Sequence, residues 1–153
     1  MRIHASVKLQ GESNELVVSA LIDTEAEISM MHSTIARNIG AWHTNMLTKV
    51  EDVQGEVRTL PIVVAYLSFP SLMNIGGELA FAMSDEGDGL VIGTDILELL
   101  GITVDTKTHQ LSVSERNETW EAFKTLASMG VLIYPGAKTL HALSRQKDQT
   151  NSG

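Results

Sequence analysis

Residues 2–9, RIHASVKL, place an apolar side chain at every second position: Ile3, Ala5, Val7 and Leu9 alternate with Arg2, His4, Ser6 and Lys8. A period of two belongs to a strand with one buried face, because successive β side chains point to opposite sides. GESNE at 11–15 is turn material. Residues 16–22, LVVSALI, form a second run that is apolar at nearly every position. They are predicted to be a strand covered on both faces and paired with the first as a hairpin. The same rhythm of short runs and turn signals continues. Residues 47–50 read as a strand, VQGE at 53–56 as a turn and 57–69 as a long strand, so that 47–69 is a long hairpin with its tip near Gly55. Residues 78–83 are a further strand and SDEGDG at 84–89 a loop. Leu90, Val91 and Ile92 make a short strand meeting Gly93, and 102–105 with 110–113, around TKTH, make a last hairpin. Only two short helices interrupt this pattern. One follows Ser33 as N-cap and stops at Gly40; the other is capped by Thr94, carries Asp95 and Glu98 in its first turns, and stops at Gly101.

The character changes after residue 114. Asn117 caps an amphipathic segment, ETWEAFKTLASM, with Trp120, Phe123, Leu126 and Ala127 on one face and Gly130 as its stop. The chain of 153 residues therefore divides into a mostly β domain over 1–114, a helical appendage over 115–145 and a polar tail over 146–153. Such a length supports one domain with a real core. A net charge of −8 argues against nucleic acid and anionic membrane surfaces as partners, since both need a basic footprint. The absence of cysteine excludes disulfides, thiolate metal sites and cysteine nucleophiles. No window has the apolar length of a signal peptide or a membrane span, which sets a cytoplasmic expectation.

The chemistry concentrates where the second strand ends. In SALIDTEAEISM the apolar run Ala20-Leu21-Ile22 stops on Asp23 and Thr24, and Glu25 and Glu27 follow at once. Alone, Asp23-Thr24 is a strand end with turn residues. It does not stand alone: ALIDTEAEISMM at 20–31 precedes a short helix, GLVIGTDILELLGITVDTKTHQLSV occupies 89–113, and a long hairpin lies between them. In this order the chain resembles the retropepsin-like aspartic peptidases, and its closing phrase resembles the bacterial and archaeal single-domain members. The resemblance covers roughly residues 1–114.

That resemblance implies a closed, mostly antiparallel acid-protease barrel with one short helix, paired across a two-fold axis. It implies an aspartic endopeptidase without metal or cofactor, whose catalytic residue is Asp23, one from each subunit of a homodimer. Thr24, Glu25 and Ala26 would complete the active-site loop, and Val91, Ile92 and Gly93 would thread beside it as support. Val53, Gln54, Gly55 and Glu56 would be the tip of a flap over an extended polypeptide substrate. Two close carboxylates cannot both ionise, so one would keep a proton while the other activates water.

Three departures from the family pattern stand out. Glu25 replaces a glycine beside the scissile bond. Its side chain could swing to solvent, crowd the cleft, or oppose ionisation of the dyad and move activity to higher pH. Thr94 stands where many relatives carry an arginine that would pair with Glu27, and Asp95 behind it is suited to local hydrogen bonding. The flap VEDVQGEV has only Gly55 where relatives have several glycines. These departures keep a second expectation open: a catalytically impaired relative serving as a dimerisation or peptide-binding module. A third is a structural partner docking through 115–145. The five histidines, at 4, 32, 43, 109 and 141, lack metal-ligand spacing, and DEGDG lacks the full calcium-ligand series. Met30 and Met31 read as core filler, and Val91-Ile92-Gly93 is no dinucleotide fingerprint.

Overall fold

The computed structural model describes residues 2–87 and 89–114. The segments assigned above to a helical appendage and a tail, 115–153, lie outside the described residues. The chain runs β1 (Arg2–Gln10), β2 (Glu15–Asp23), β3 (Met30–His32), α1 (Ser33–Ile39), β4 (Trp42–Glu51) and β5 (Val57–Phe69). A 3-10 turn (Pro70–Leu72), β6 (Ile75–Ser84), β7 (Leu90–Ile92), α2 (Thr94–Leu100), β8 (Ile102–Asp105) and β9 (Gln110–Val113) follow.

The strand order is β1-β2-β7-β3-β6-β5-β4, and β5 returns to pair with β1 through Lys8↔Ser68, Leu9↔Leu67 and Gln10↔Tyr66. That last pairing closes a six-strand barrel and leaves β4 attached to β5 outside the ring. The sheet is mostly antiparallel, with parallel neighbours at β2–β7 and β3–β6. The alternation seen in β1 sends Ile3, Val7 and Leu9 inward, where Val7 and Leu9 have no exposed surface. Ile22, Leu67 and Phe69 are equally enclosed, with Met31 and Ile92 beside them. Truncating one such side chain to alanine costs about 2–5 kcal/mol.

β5 is longer than its neighbours. Its pairs with β6 cover Ile62 to Phe69, so residues 57–61 are flanked by β4 alone. A two-stranded arm thus extends past the barrel wall. A register shift between His43 and Leu47 marks its root, where the Thr44 hydroxyl donates to the Ile62 carbonyl (2.7 Å) and accepts from the Met46 N–H (3.0 Å).

Several local expectations shift. β2 is not covered on both faces: Val17 is 64% exposed, because β7 reaches only Leu21 and Ile22 of this strand. β4 begins at Trp42 rather than at residue 47, its alternation broken by the bulge. β3 is a strand that three residues cannot announce by period. The cap of α1 is His32, whose Nδ1 accepts from the Thr34 N–H (3.1 Å), while the Ser33 hydroxyl donates to Asp85 Oδ1 (2.5 Å). The cap of α2 is Gly93, and Thr94 is its first helical residue. Both helices stop on the predicted glycines, Gly40 and Gly101. The described barrel therefore carries two short α-helices, one more than the resemblance implies.

Candidate active site

β2 ends on Asp23 because the barrel ends there: Ala20 and Ile22 fill the interior and Asp23 stands at its mouth, 9% exposed. The chain then loops through 24–29 and returns as β3. Between β2 and β3 runs β7, parallel to β2 (Leu21↔Val91, Ile22↔Ile92) and antiparallel to β3 (Met30↔Val91, Met31↔Leu90). The loop must therefore cross over the end of β7, where Gly93 lies. The sequence-predicted residues Asp23, Thr24, Glu25 and Ala26 meet Val91, Ile92 and Gly93 in this crossing.

Gly93 is required by close approach. A Cβ there would come within 2.6 Å of the Ala26 carbonyl oxygen. In its absence the Thr94 N–H donates to that same oxygen at 2.8 Å, and the Gly93 N–H donates to Ser29 Oγ at 2.8 Å. Ser29 is fully buried. Its hydroxyl donates to Asp95 Oδ1 (2.6 Å) and its N–H to Asp95 Oδ2 (3.1 Å), while Oδ1 also accepts from the Ile96 N–H (2.8 Å). Asp95 thus does more than order its own helix: it ties the first turn of α2 to the far end of the loop. Sequence reasoning gave it a local role only, since nothing in a sequence joins residues 66 positions apart.

Within the loop the Ala26 N–H donates to the Asp23 carbonyl (3.2 Å) and the Glu25 N–H to Asp23 Oδ1 (3.0 Å). Asp23 Oδ2 forms an ion pair with Arg2 Nε at 3.4 Å. The β1–β2 register sets Arg2 directly opposite Asp23. Counting back from the turn, with Gln10 against Glu15, would have found this pair in the sequence. Glu25 and Glu27 are exposed and form no ion pair among the described residues. Glu25 is absent from the residues of positive φ, so the glutamate places no strain on the loop backbone. Thr24 and Ala26 are half-buried.

The other sequence-predicted group, Val53, Gln54, Gly55 and Glu56, forms the end of the β4–β5 arm. Asp52, which sequence reasoning missed, organises it: its Oδ1 accepts from the Gln54 and Glu56 N–H groups at 2.9 Å each, in an Asx-type turn. Gly55 takes φ +83°, and its N–H donates to the Asp52 carbonyl (3.0 Å). Val53 projects fully into solvent. On β5 Arg58 pairs with Glu86 of the β6–β7 connection. The hydrogen bond to Glu86, and then its charge, raise the Arg58 pKa. Among the described residues no group of three His, Asp or Glu side chains is placed to hold a metal ion, and no helix is long and apolar enough to cross a membrane.

No protein-family model and no curated protein matches this sequence. Solved structures do. EIAV protease in complex with the inhibitor HBY-793 superposes with a TM-score of 0.52 at 16% identity, over 69% of this chain and 93% of that one. The retroviral protease-like domain of Ddi1 from Leishmania major gives 0.48 at 23% identity, over 75% and 89%. The fold is that of the retropepsin-like proteases.

Proposed function

We propose that this chain is one subunit of a homodimeric, retropepsin-like aspartic endopeptidase of the bacterial and archaeal single-domain type, with Asp23 of each subunit forming the catalytic dyad. One observation carries the reading. A nearly buried carboxylate ends a barrel strand, inside a loop braced from behind by Gly93, Ser29 and Asp95. Positioned acids and bases depend on such bracing. A single chain offers one such group, so a two-carboxylate site needs a second copy.

In the pair, one Asp23 is protonated and one ionised. The ionised carboxylate takes a proton from a water lying between them, and that water attacks the scissile carbonyl carbon. The protonated Asp23 donates to the carbonyl oxygen as it becomes tetrahedral. Breakage of the C–N bond follows, with a proton passing to the leaving nitrogen and the dyad returning to its starting state. The Glu25 N–H keeps Asp23 Oδ1 oriented throughout. An extended polypeptide lies across both loops as an added strand, covered by the arms that end at Val53 to Glu56.

Cleavage of an unfolded polypeptide at several pH values tests this reading. Asp23→Asn must lower cleavage by about 10²–10⁴-fold or more, the usual contribution of a general base. Cleavage that survives this substitution overturns the reading. A second reading, a peptide-binding or dimerisation module without catalysis, is favoured by the exposed Glu25 beside the carboxylate. It predicts peptide binding with no cleavage, in wild type and in Glu25→Gly alike.

A further inference from the structure

β5 outgrows the barrel, and its protruding residues 57–61 are flanked by β4 alone. Register and alternation decide which side of this arm each residue takes. Ile62 pairs with Ala82, Ala82 with Met30, Met30 with Val91 and Val91 with Leu21. Paired residues share a face of a sheet, and so do residues separated by two along a strand. Asp23 follows Leu21 by two on β2, and Arg58 precedes Ile62 by four on β5. Arg58 therefore stands on the arm on the same face of the sheet as Asp23.

There Arg58 meets Glu86, whose own backbone is anchored. The Glu86 N–H donates to the buried Ser84 hydroxyl (3.1 Å), Asp85 Oδ1 accepts from the Ser33 hydroxyl, and His32 Nε2 lies 3.1 Å from the Asp85 carbonyl oxygen. The arm offers Arg58 a different set of acids. Asp52 and Glu56 adjoin across the tip, where the Asp52 N–H donates to the Glu56 carbonyl (2.9 Å), and Glu56 precedes Arg58 by two. The Arg58 pKa is raised first by the hydrogen bond and charge of Glu86, and then by the charges of Glu56 and Asp52. The Arg58 and Glu86 side chains are 36% and 67% exposed, so water and salt reach the pair. An ion pair this exposed adds little to global stability. Placed on a protruding lever, it still biases where the lever rests.

We propose that the Arg58–Glu86 pair is a salt-sensitive tether holding the arm against the β6–β7 connection, and that Arg58 exchanges Glu86 for Glu56 on its own arm when the arm lifts. Arg58 and Glu86 are then positioning residues. The tether goes beyond the peptidase reading; its control of polypeptide access to Asp23 rests on that reading.

Distances between two spin labels test the tether without reference to cleavage. The chain has no cysteine, so Val53→Cys at the exposed arm tip and Glu12→Cys in the β1–β2 turn direct the labels to those two places. Labelled chain is diluted into excess unlabelled chain, so that the distance within one subunit is read. The doubly labelled parent should give one main distance at low salt. Its displaced fraction should grow about two- to fivefold at about 0.5 M NaCl, where the Debye length is only about 4 Å. Arg58→Ala and Glu86→Ala should each raise the low-salt displaced fraction by a similar factor, and the double variant by no more than either. The charge exchange Arg58→Glu/Glu86→Arg should restore the parent distance, and Glu56→Gln should lower the displaced fraction. Circular dichroism confirms that each variant is folded. A distance indifferent to salt and to both alanine substitutions overturns the proposal. So do additive effects in the double variant, an exchanged pair as displaced as the alanine variants, or a displaced fraction that rises in Glu56→Gln. A chain that passes these tests and cleaves nothing keeps the tether and loses only the peptidase reading.

Discussion

Gly93→Ala isolates the brace behind the candidate active-site loop. The backbone at Gly93 has φ −98° and ψ −174°, which any residue can adopt, so the substitution adds no conformational strain. What it adds is a methyl group 2.6 Å from the Ala26 carbonyl oxygen and 3.2 Å from both Ala26 C and Ile28 C. All three are backbone atoms, so no rotamer change relieves the contact. Overpacking of this kind costs about 1–3 kcal/mol. If the loop retreats instead, it gives up the Thr94 N–H to Ala26 carbonyl and Gly93 N–H to Ser29 Oγ bonds, each worth about 0.5–1.5 kcal/mol net. The expected loss is about 2–4 kcal/mol, read as a lower urea midpoint at unchanged slope. Cleavage should fall further than stability, because a shift of about 1 Å in a catalytic group costs around 10²-fold. An alanine variant that unfolds within about 0.5 kcal/mol of wild type, a change typical of an unconstrained surface position, would refute the claim that the loop rests on Gly93.

Asp95→Ala should lower stability by about 2–5 kcal/mol in the same urea assay, because the buried Ser29 hydroxyl and N–H lose their acceptors together. Asp95→Asn, which keeps one acceptor oxygen, should fall between. Glu25→Gly should raise kcat/KM on unfolded polypeptide if the side chain crowds substrate, at a stability cost of about 0.4–1 kcal/mol from added backbone freedom. Unchanged kcat/KM would show that the glutamate lies clear of the cleft. At the β8–β9 turn, the Lys107 N–H and then the Thr108 N–H lower the Asp105 pKa. A depressed folded-state value gives stability that is present above the unfolded value near about 4 and lost as pH falls through the folded one. The thermal advantage of wild type over Asp105→Asn should thus persist at pH 7 and close under more acid conditions; an advantage independent of pH would contradict it.

What the sequence made legible followed the range of the forces involved. β1, β5 and the β8–β9 hairpin could be read because alternation and turn residues act over a few positions. The ends of β2 and β7, at Asp23 and before Gly93, could be read because each closes an apolar run. Beyond that range the reading failed in ways the structure explains. The alternation of β4 breaks at Thr44, whose hydroxyl takes part in two hydrogen bonds at the bulge, so residues 42–46 lost their strand signal. Ser33 looks like a cap, but Asp85, 52 positions away, takes its hydroxyl and leaves the cap to His32. The Ser29–Asp95 tie is legible only once β7 is known to thread between β2 and β3. Residues 16–18 are apolar without being enclosed, since composition alone does not reveal where a neighbouring strand stops.

The same geometry bears on how the loop accommodates a glutamate where the resemblance implies a glycine. The hydrogen bonds described above hold the loop from behind or from within: Gly93 and Thr94 at Ala26 and Ser29, Asp95 at Ser29, and the Glu25 and Ala26 N–H groups at Asp23. None of them uses the side chain of residue 25. The Glu25 backbone, outside the positive-φ set, accepts a Cβ, and its N–H still reaches Asp23 Oδ1 at 3.0 Å. The carboxylate can therefore be fixed whatever stands at 25, and the effect of the substitution falls on what enters the site. An acid at this position changes the charge and the space met by a substrate and leaves the brace untouched. Loop stability and substrate choice are in this way separable: changes at Gly93, Ser29 and Asp95 should act on unfolding and cleavage together, whereas changes at Glu25 should act on cleavage far more than on unfolding.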